Sequence, residues 1–187
     1  MTEKKFKVTI HMVASLDGFI ARKDGATDWM RSTDIYPEGI ELTKAYIDEF
    51  LNAIDCYVMG SGTYEHALKL GWPYGDTPVV VLTGRSLKAK RKSITFFSGN
   101  LETLMQQLQA KYSNVWMVGG AALTKSFLIA RLADEIVVTY IPILLGDGLP
   151  FFDHVGREQR LHLKAVTPFK DGMVELSYAI LKQAPGV

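Results

Sequence analysis

The apolar residues of this chain fall into short runs rich in valine and isoleucine, separated by polar turn signals and by stretches with helical spacing. Short runs of β-branched and aromatic residues between turn signals predict strands. Eight strands are predicted, over 6–14, 55–60, 78–83, 93–97, 115–118, 135–143, 161–167 and 173–181. The last two are joined by a Lys-Asp-Gly sequence at 170–172, which favours a hairpin.

Helical spacing fills most of the intervals between these strands. The clearest amphipathic helix is predicted over 101–112, where leucines and a methionine repeat at three and four residues. Shorter helices are predicted over 63–70 and 121–130, and a looser pattern predicts a helix that starts at Pro37. Residues 15–36 are predicted to form a long irregular loop. This alternation predicts a single α/β domain over 1–187, with no internal repeat or linker.

Composition excludes several function classes. The 48 % apolar and 22 % charged content is ordinary for a globular protein, and 21 basic against 20 acidic residues give no global attraction to nucleic acid or acidic lipid. No apolar run is long enough to cross a bilayer. The single cysteine, Cys56, cannot form an internal disulfide and is predicted to be a core residue. With no leader pattern, the chain is expected to be cytoplasmic.

Three predicted strands end in glycine-rich motifs suited to a phosphate-containing ligand. One of these strands, over 115–118, ends in Gly119-Gly120 and passes directly into an apolar helix, whose N–H groups then face the bare backbone. A second strand ends in GSGT at 60–63, and a third ends in TGR at 83–85. There Arg85 can bind a phosphate with two parallel N–H bonds. Each motif alone is more often a loop, but three strand ends together favour a dinucleotide.

The fold that holds this dinucleotide is not predicted to be a Rossmann fold. That fold requires a Gly-x-Gly-x-x-Gly fingerprint after the first strand, with an acidic residue about twenty positions later. The first strand instead runs into SLDGF at 15–19, and a Walker lysine loop is absent. The four histidines have no close ligand spacing, so no metal site is expected, and His11 is interpreted as a packed or edge side chain.

The order of these motifs resembles a known family. MGSGTY at 59–64, VVVLTGR at 79–85, VGG at 118–120 and VTYI at 138–141 occur in the order seen in dihydrofolate reductases. The opening VASLDGFI at 13–20 and the closing DGMVELSY at 171–178 look more like the reductase domain of riboflavin biosynthesis, a branch of the same fold. The resemblance implies a three-layer domain, a mostly parallel eight-stranded sheet with an antiparallel C-terminal edge, and NADPH as hydride donor.

The resemblance also assigns a set of cofactor contacts by position. The strand ends near Gly60 and Gly119 would hold the pyrophosphate, the end near Arg85 the adenine ribose and its 2′-phosphate, and the first strand with Ile20 the nicotinamide. The expected contacts are Val13, Ala14, Ile20, Gly60, Ser61, Gly62, Thr63, Leu82, Thr83, Gly84, Arg85, Val118, Gly119, Gly120, Ala121 and Leu123.

The catalytic carboxylate cannot be located by the same comparison. Folate reductases carry one on the first helix, and Asp34, Glu41 and Asp48 are the candidates here, each of which also fits a solvated surface position. Asp17, which shapes the loop after the first strand, and Thr139, expected to face the substrate, complete the candidate catalytic set with Asp34. The Asp-Pro pair and further arginine of the riboflavin reductases are absent after the 59–64 motif.

Two functions from different classes follow from these observations. The first is an NADPH-dependent reductase of a pteridine or pyrimidine, of the dihydrofolate reductase or 5-amino-6-(5-phosphoribosylamino)uracil reductase type. The second is a nucleotide-binding module of the same fold without catalytic activity. Exposed apolar residues at 144–145 and 151–152 are expected to form an interface, so a homodimer is predicted.

Overall fold

The computed structural model describes residues 5–182. Ten strands and four helices occur in this part of the chain. The strands are β1 Lys7–Ser15, β2 Phe19–Ala21, β3 Cys56–Gly60, β4 Val79–Leu82, β5 Ile94–Phe97, β6 Asn114–Gly119, β7 Glu135–Ile141, β8 Leu149–Pro150, β9 Leu161–Pro168 and β10 Val174–Ile180. The helices are α1 Lys44–Asn52, α2 Ser61–Lys69, α3 Leu101–Gln109 and α4 Ala121–Ile129.

Eight of the strands form one sheet in the order β5-β4-β3-β6-β1-β7-β10-β9. All pairings from β5 to β7 are parallel, whereas β10 runs antiparallel to both of its neighbours. This confirms the predicted eight-stranded, mostly parallel sheet with an antiparallel C-terminal edge. The carboxyl ends of β3, β4, β6, β1 and β7 therefore meet at one edge of the sheet.

The side chains of β3 show why the domain has three layers. Successive residues of a strand point to opposite faces, and four consecutive residues of β3 are buried. Cys56 and Val58 pack in a cluster with α3 and α4, whereas Tyr57 and Met59 pack in a second cluster with α2. Both faces of the sheet at β3 are thus covered by apolar side chains, as the parallel part of a sheet requires.

The predicted helix starting at Pro37 is wrong in its boundary. α1 begins at Lys44, where Thr43 caps it by accepting a hydrogen bond from the backbone N–H of Tyr46 at 3.2 Å. The preceding residues are not helical. Residues 37–39 form a turn, and Ile40 pairs with Phe169 beside the end of β9: its N–H donates to Pro168 and its carbonyl accepts from Lys170, both at 2.9 Å. A tertiary contact thus overrides the local helix signal.

The loop predicted over 15–36 is less irregular than expected. It contains β2, which pairs with β8 in a separate two-stranded sheet. The loop is also fastened by Asp17, whose carboxylate accepts hydrogen bonds from Ser15 Oγ at 2.6 Å, Leu145 N at 3.1 Å and Gly146 N at 2.7 Å. These bonds join the segment after β1 to the segment between β7 and β8.

Two sequence interpretations of apolar residues have different outcomes. Cys56 is fully buried, and burial raises the pKa of its thiol to about 12, which confirms a core role. Phe151, predicted to lie at an exposed interface, is 1 % exposed and belongs to the main core, so that part of the interface prediction is wrong. Leu144 and Phe152 remain on the surface.

Two other kinds of feature are absent from residues 5–182. No helix within residues 5–182 is long and apolar enough to cross a membrane. Across the same residues, no group of three or more histidine, cysteine or acidic side chains is arranged to hold a metal ion.

Candidate functional site

The glycine-rich motifs predicted from the sequence lie together at the carboxyl edge of the sheet. Gly60 is the register partner of Leu82, and Met59 that of Gly119. A Cβ atom added to Gly60 would lie 3.9 Å from the carbonyl oxygen of Gly119, and one added to Gly120 would lie 3.6 Å from Thr63 Oγ1. The ends of β3, β4 and β6 therefore form one continuous surface.

The backbone at position 119, the end of β6, accommodates glycine better than any other residue. Its φ angle is +107°, a region that side chains with a Cβ rarely adopt, and an added Cβ would approach Met12 Sδ to 3.2 Å. Its peptide bond to Gly120 is cis. The contact between Gly119 and Met12 places the turn between β6 and α4 directly beside β1, the strand next to β6 in the sheet.

Two helices begin at this edge without a side-chain cap. Gly60 is the N-cap of α2 and Gly120 is the N-cap of α4, and neither position has a side chain to accept from the first turn. Each helix therefore presents unpaired N–H groups and a partial positive charge toward the strand ends. Added Cβ atoms at Gly62 and Gly84 would meet nothing within 4 Å, so this surface is open to a ligand.

The end of β4 carries an arginine beside α2. Arg85 pairs with Glu65 at 3.0 Å, and both side chains are about half exposed. The backbone N–H of Arg85 donates to Thr83 Oγ1 at 3.0 Å, which fixes the turn after β4. An anion that reaches Arg85 must therefore compete with the Glu65 carboxylate.

A cleft of about 390 Å³ lies between α1 and the strands β1, β7 and β10. Most of its wall is apolar or aromatic. The lining residues are His11, Val13, Met30, Leu42, Tyr46, Ile47, Phe50, Thr139, Ile141, Phe169, Met173 and Glu175. Its size is within the range of small-molecule sites.

Three polar side chains converge inside this cleft. Thr139 Oγ1 donates to Glu175 Oε2 at 3.1 Å, and these residues are register partners across β7 and β10. His11 Nε2 lies 3.6 Å from the same carboxylate oxygen. His11 is stacked on Trp116, with ring centroids 4.7 Å apart, and its Nδ1 is buried without a hydrogen-bond partner among the described residues.

Burial shifts the two ionisable groups of the cleft in ways that favour their neutral forms. It raises the pKa of Glu175, an effect that the hydrogen bond from Thr139 partly offsets. It lowers the pKa of His11 to about 4. At neutral pH, His11 is therefore uncharged, and the pair carries at most the single negative charge of Glu175.

The residues predicted to flank a nicotinamide do not all face the cleft. Val13 lines it, whereas Ala14 is fully buried and Ile20, in β2, packs against the main core. Thr139, which the resemblance predicts to face the substrate, lines the cleft.

The acidic candidates identified from the sequence lie outside the lining of the cleft. Asp17 is held in the loop contacts described above, and its hydrogen bond from Ser15, with those from two backbone N–H groups, lowers its pKa. Asp34 lies over Gly172 in the hairpin between β9 and β10. Glu41 pairs with Lys170 at 3.6 Å, and Asp48 pairs with Lys44 along α1.

Sequence reasoning missed Glu175 and the site role of His11. A glutamate between Val174 and Leu176 in a predicted strand is a usable signal, because an acidic residue within an apolar strand needs a partner or a function. The packing expected for His11 is confirmed by its contacts with Trp116 and Phe50, but its ring also faces the cleft.

Known proteins resemble this chain over nearly its whole length. The uncharacterized protein YwjB of Bacillus subtilis (strain 168) is 34 % identical over 175 residues, which cover 92 % of this chain and 97 % of YwjB. The crystal structure of a putative riboflavin biosynthesis protein from Shewanella sp. PV-4 has a TM-score of 0.80 at 26 % identity and covers 94 % of this chain and 99 % of that one.

The fold is also that of a dihydrofolate reductase. The Enterococcus faecalis enzyme, solved with NADP(H), has a TM-score of 0.61 at 14 % identity and covers 94 % of this chain and 97 % of that one. The sequence profile of the RibD C-terminal domain matches residues 6–174. The chain therefore belongs to the RibD C-terminal domain family, which has the dihydrofolate reductase-like fold of riboflavin biosynthesis reductase domains.

Proposed function

We propose that this protein is an NADPH-dependent reductase that acts on a small flat heterocycle. The observation that supports this most directly is the junction between two neighbouring surfaces. Uncapped helix starts and bare backbone lie at the ends of β3 and β6, and a cleft with one carboxylate lies beside the adjoining strand β1. A cofactor and a substrate bound at these places would meet near Val13.

The strand-end surface suits the phosphates of NADPH. In this proposal the pyrophosphate lies on the N–H groups that follow Gly60 and Gly120, where helix starts favour anions. The 2′-phosphate binds the Arg85 guanidinium in place of the Glu65 carboxylate. The other contacts assigned by resemblance at 60–63, 82–85 and 118–123 belong to the same surface.

The chain's own residues would orient and protonate the substrate. When bound, NADPH supplies a hydride to a carbon of a C=N or C=O bond, and the heteroatom of that bond then needs a proton. Glu175 is the group in the cleft best suited to hold that proton, because its raised pKa brings it closer to neutral pH. Thr139 orients the carboxylate, and the apolar wall excludes water.

The other two acidic residues considered as catalytic have positioning roles in this proposal. Asp17 holds the loop after β1 against the segment at Leu145 and Gly146. Asp34 supports the β9–β10 hairpin that leads into Glu175. Glu175 replaces them as the proposed proton-holding group.

The experiment follows the near-ultraviolet absorbance of NADPH with a panel of dihydropterins and aminopyrimidines. We expect turnover with at least one of them, and loss of more than tenfold in kcat for Glu175→Gln with little change in NADPH affinity. The exposed variant Glu38→Gln is the matched control. Tight NADPH binding without turnover on any compound would instead favour the nucleotide-binding module.

We also propose that the protein acts as a cytoplasmic homodimer. The strand at the end of the sheet, β9, exposes Leu161, Leu163 and Val166 by 41 %, 49 % and 54 %. An exposed apolar edge strand favours association with a second copy. Light scattering on the purified protein, compared with the variant Val166→Lys, tests this: the variant is expected to be monomeric.

A further inference from the structure

The charges around the cleft bear on which heterocycle it can accept. Among its twelve lining residues, Glu175 is the only one with an acidic side chain, and none is a lysine or an arginine. His11 does not supply the missing cation, because burial keeps its ring neutral above a pKa of about 4. The cleft therefore offers no positive charge to an anion at neutral pH, and ionisation of Glu175 can only make its potential negative.

Three cations, Arg31, Lys44 and Lys170, lie within two positions of a lining residue in the sequence. Lys44 is paired with Asp48 and Lys170 with Glu41, so two of the three are neutralised by carboxylates outside the cleft. The third, Arg31, is exposed on the loop beside Met30. None of these side chains lines the cleft, where a phosphate on a bound heterocycle would need its counter-charge.

The wall opposite the carboxylate is suited to an apolar substituent. α1 has no buried residue, and Leu42, Tyr46, Ile47 and Phe50 are left 38–39 % exposed along the cleft. Covering these side chains with an apolar group is favourable because it removes apolar surface from water. A phosphorylated sugar at the same wall would lose solvation without gaining a partner.

We propose that the substrate of this cleft is an unphosphorylated heterocycle, which presents N–H groups to Glu175 and an apolar body to the α1 wall. This inference rests on the proposed function only in calling the ligand a substrate, because it concerns binding to the cleft alone. It separates this chain from a 5-amino-6-(5-phosphoribosylamino)uracil reductase, whose substrate carries a phosphate. The His11–Glu175 pair is the specificity-determining element, since its one uncompensated negative charge disfavours an anion.

The test uses two matched pairs of ligands that differ only in one phosphate. These are 6-hydroxymethylpterin with its monophosphate, and 5-amino-6-(ribitylamino)uracil with its 5′-phosphate. Dissociation constants are measured by calorimetry on the full chain at low salt, where electrostatic differences are largest. NADPH is titrated separately, so that failure of the cofactor proposal is distinguished from failure of this one.

We expect the unphosphorylated member of at least one pair to bind about tenfold more tightly than its phosphate ester, from Coulomb repulsion at an effective dielectric constant of about 20. In Glu175→Gln this preference should shrink toward equal affinity, a change that a purely structural role for Glu175 would not produce. Glu38→Gln, exposed and outside the cleft, should keep the wild-type preference.

Two results would overturn the proposal. The first is that a phosphate ester binds wild-type protein as tightly as its alcohol or more tightly, and Arg31→Ala would then show whether Arg31 supplies the cation. The second is that neither alcohol binds the folded protein at millimolar concentration, because the cleft would then reject the whole class of ligand.

Discussion

Single residues set the chemistry at both ends of the proposed site. Arg85 is the only arginine or lysine in the strand-end motifs at 60–63, 82–85 and 118–123, and Glu175 is the only carboxylate that lines the cleft. Arg85 pairs with Glu65, and Glu175 accepts a hydrogen bond from Thr139 and lies beside His11. Variants that remove one of these charges therefore test each role separately.

The first residue-scale prediction concerns the choice between NADPH and NADH. Arg85→Ala should weaken NADPH binding by tenfold or more, because a charge-assisted hydrogen bond contributes about 1.5–3 kcal/mol, and should leave NADH binding nearly unchanged. Glu65→Gln removes the competing carboxylate and should tighten NADPH binding. Equal losses for both cofactors in Arg85→Ala would show that Arg85 does not contact the 2′-phosphate.

The second residue-scale prediction is a pH dependence of stability. Because the pKa of Glu175 is higher in the folded protein than its ordinary value of 4.5, ionisation costs stability as pH rises through the folded pKa. Glu175→Gln removes this cost and retains an acceptor for Thr139. Its Tm should exceed that of the wild type at neutral pH, and the gap should close below pH 4.5, where the side chain is protonated in both states.

The control for this measurement is Glu38→Gln, since Glu38 is exposed. Its melting curve should follow that of the wild type at every pH. A Glu175→Gln variant that melts below the wild type at neutral pH, with the same difference at acidic pH, would show that ionisation of Glu175 does not lower the stability of the folded protein.

At the scale of elements, α1 differs from the other helices because it buries none of its residues. α3 buries Leu104 and Leu108, and α4 buries three side chains. Few buried contacts imply a low free energy of local opening. α1 is therefore the wall of the cleft that a bound heterocycle would stabilise most.

This gives a prediction for hydrogen exchange. The amides of α1 should exchange fast in the free protein and become protected when a cleft ligand binds, because the ligand covers Tyr46, Ile47 and Phe50. The amides of α3, which does not line the cleft, are the internal control. Unchanged exchange in α1 at saturating ligand would place the binding site elsewhere.

The elements also show how far the sequence predicts this protein. All eight strands of the sheet and the three helices after β3, β5 and β6 follow from local periodicity and turn signals. The acidic group of the cleft does not, because its position depends on the antiparallel register of Thr139 and Glu175, which are 36 residues apart. The wrong start of α1 has the same origin, a long-range pairing between Ile40 and Phe169.

At the scale of the whole molecule, the topology brings the two surfaces together. Parallel pairing places the ends of β3, β4, β6 and β1 at one edge, where dinucleotides bind in open α/β sheets. The neighbouring strands β7 and β10 supply the polar floor of the cleft. We propose that the bare backbone at this edge binds NADPH.

The most direct test of this claim is NADPH affinity in Gly120→Val. The φ angle of Gly120 is −79°, and an added Cβ is in ordinary contact with Thr63 Oγ1, so the variant is expected to fold. Ala130→Val, exposed at the other end of α4, is the control. NADPH binding should fall by tenfold or more in Gly120→Val alone. A folded Gly120→Val protein with wild-type affinity for NADPH would show that the cofactor does not lie on this backbone.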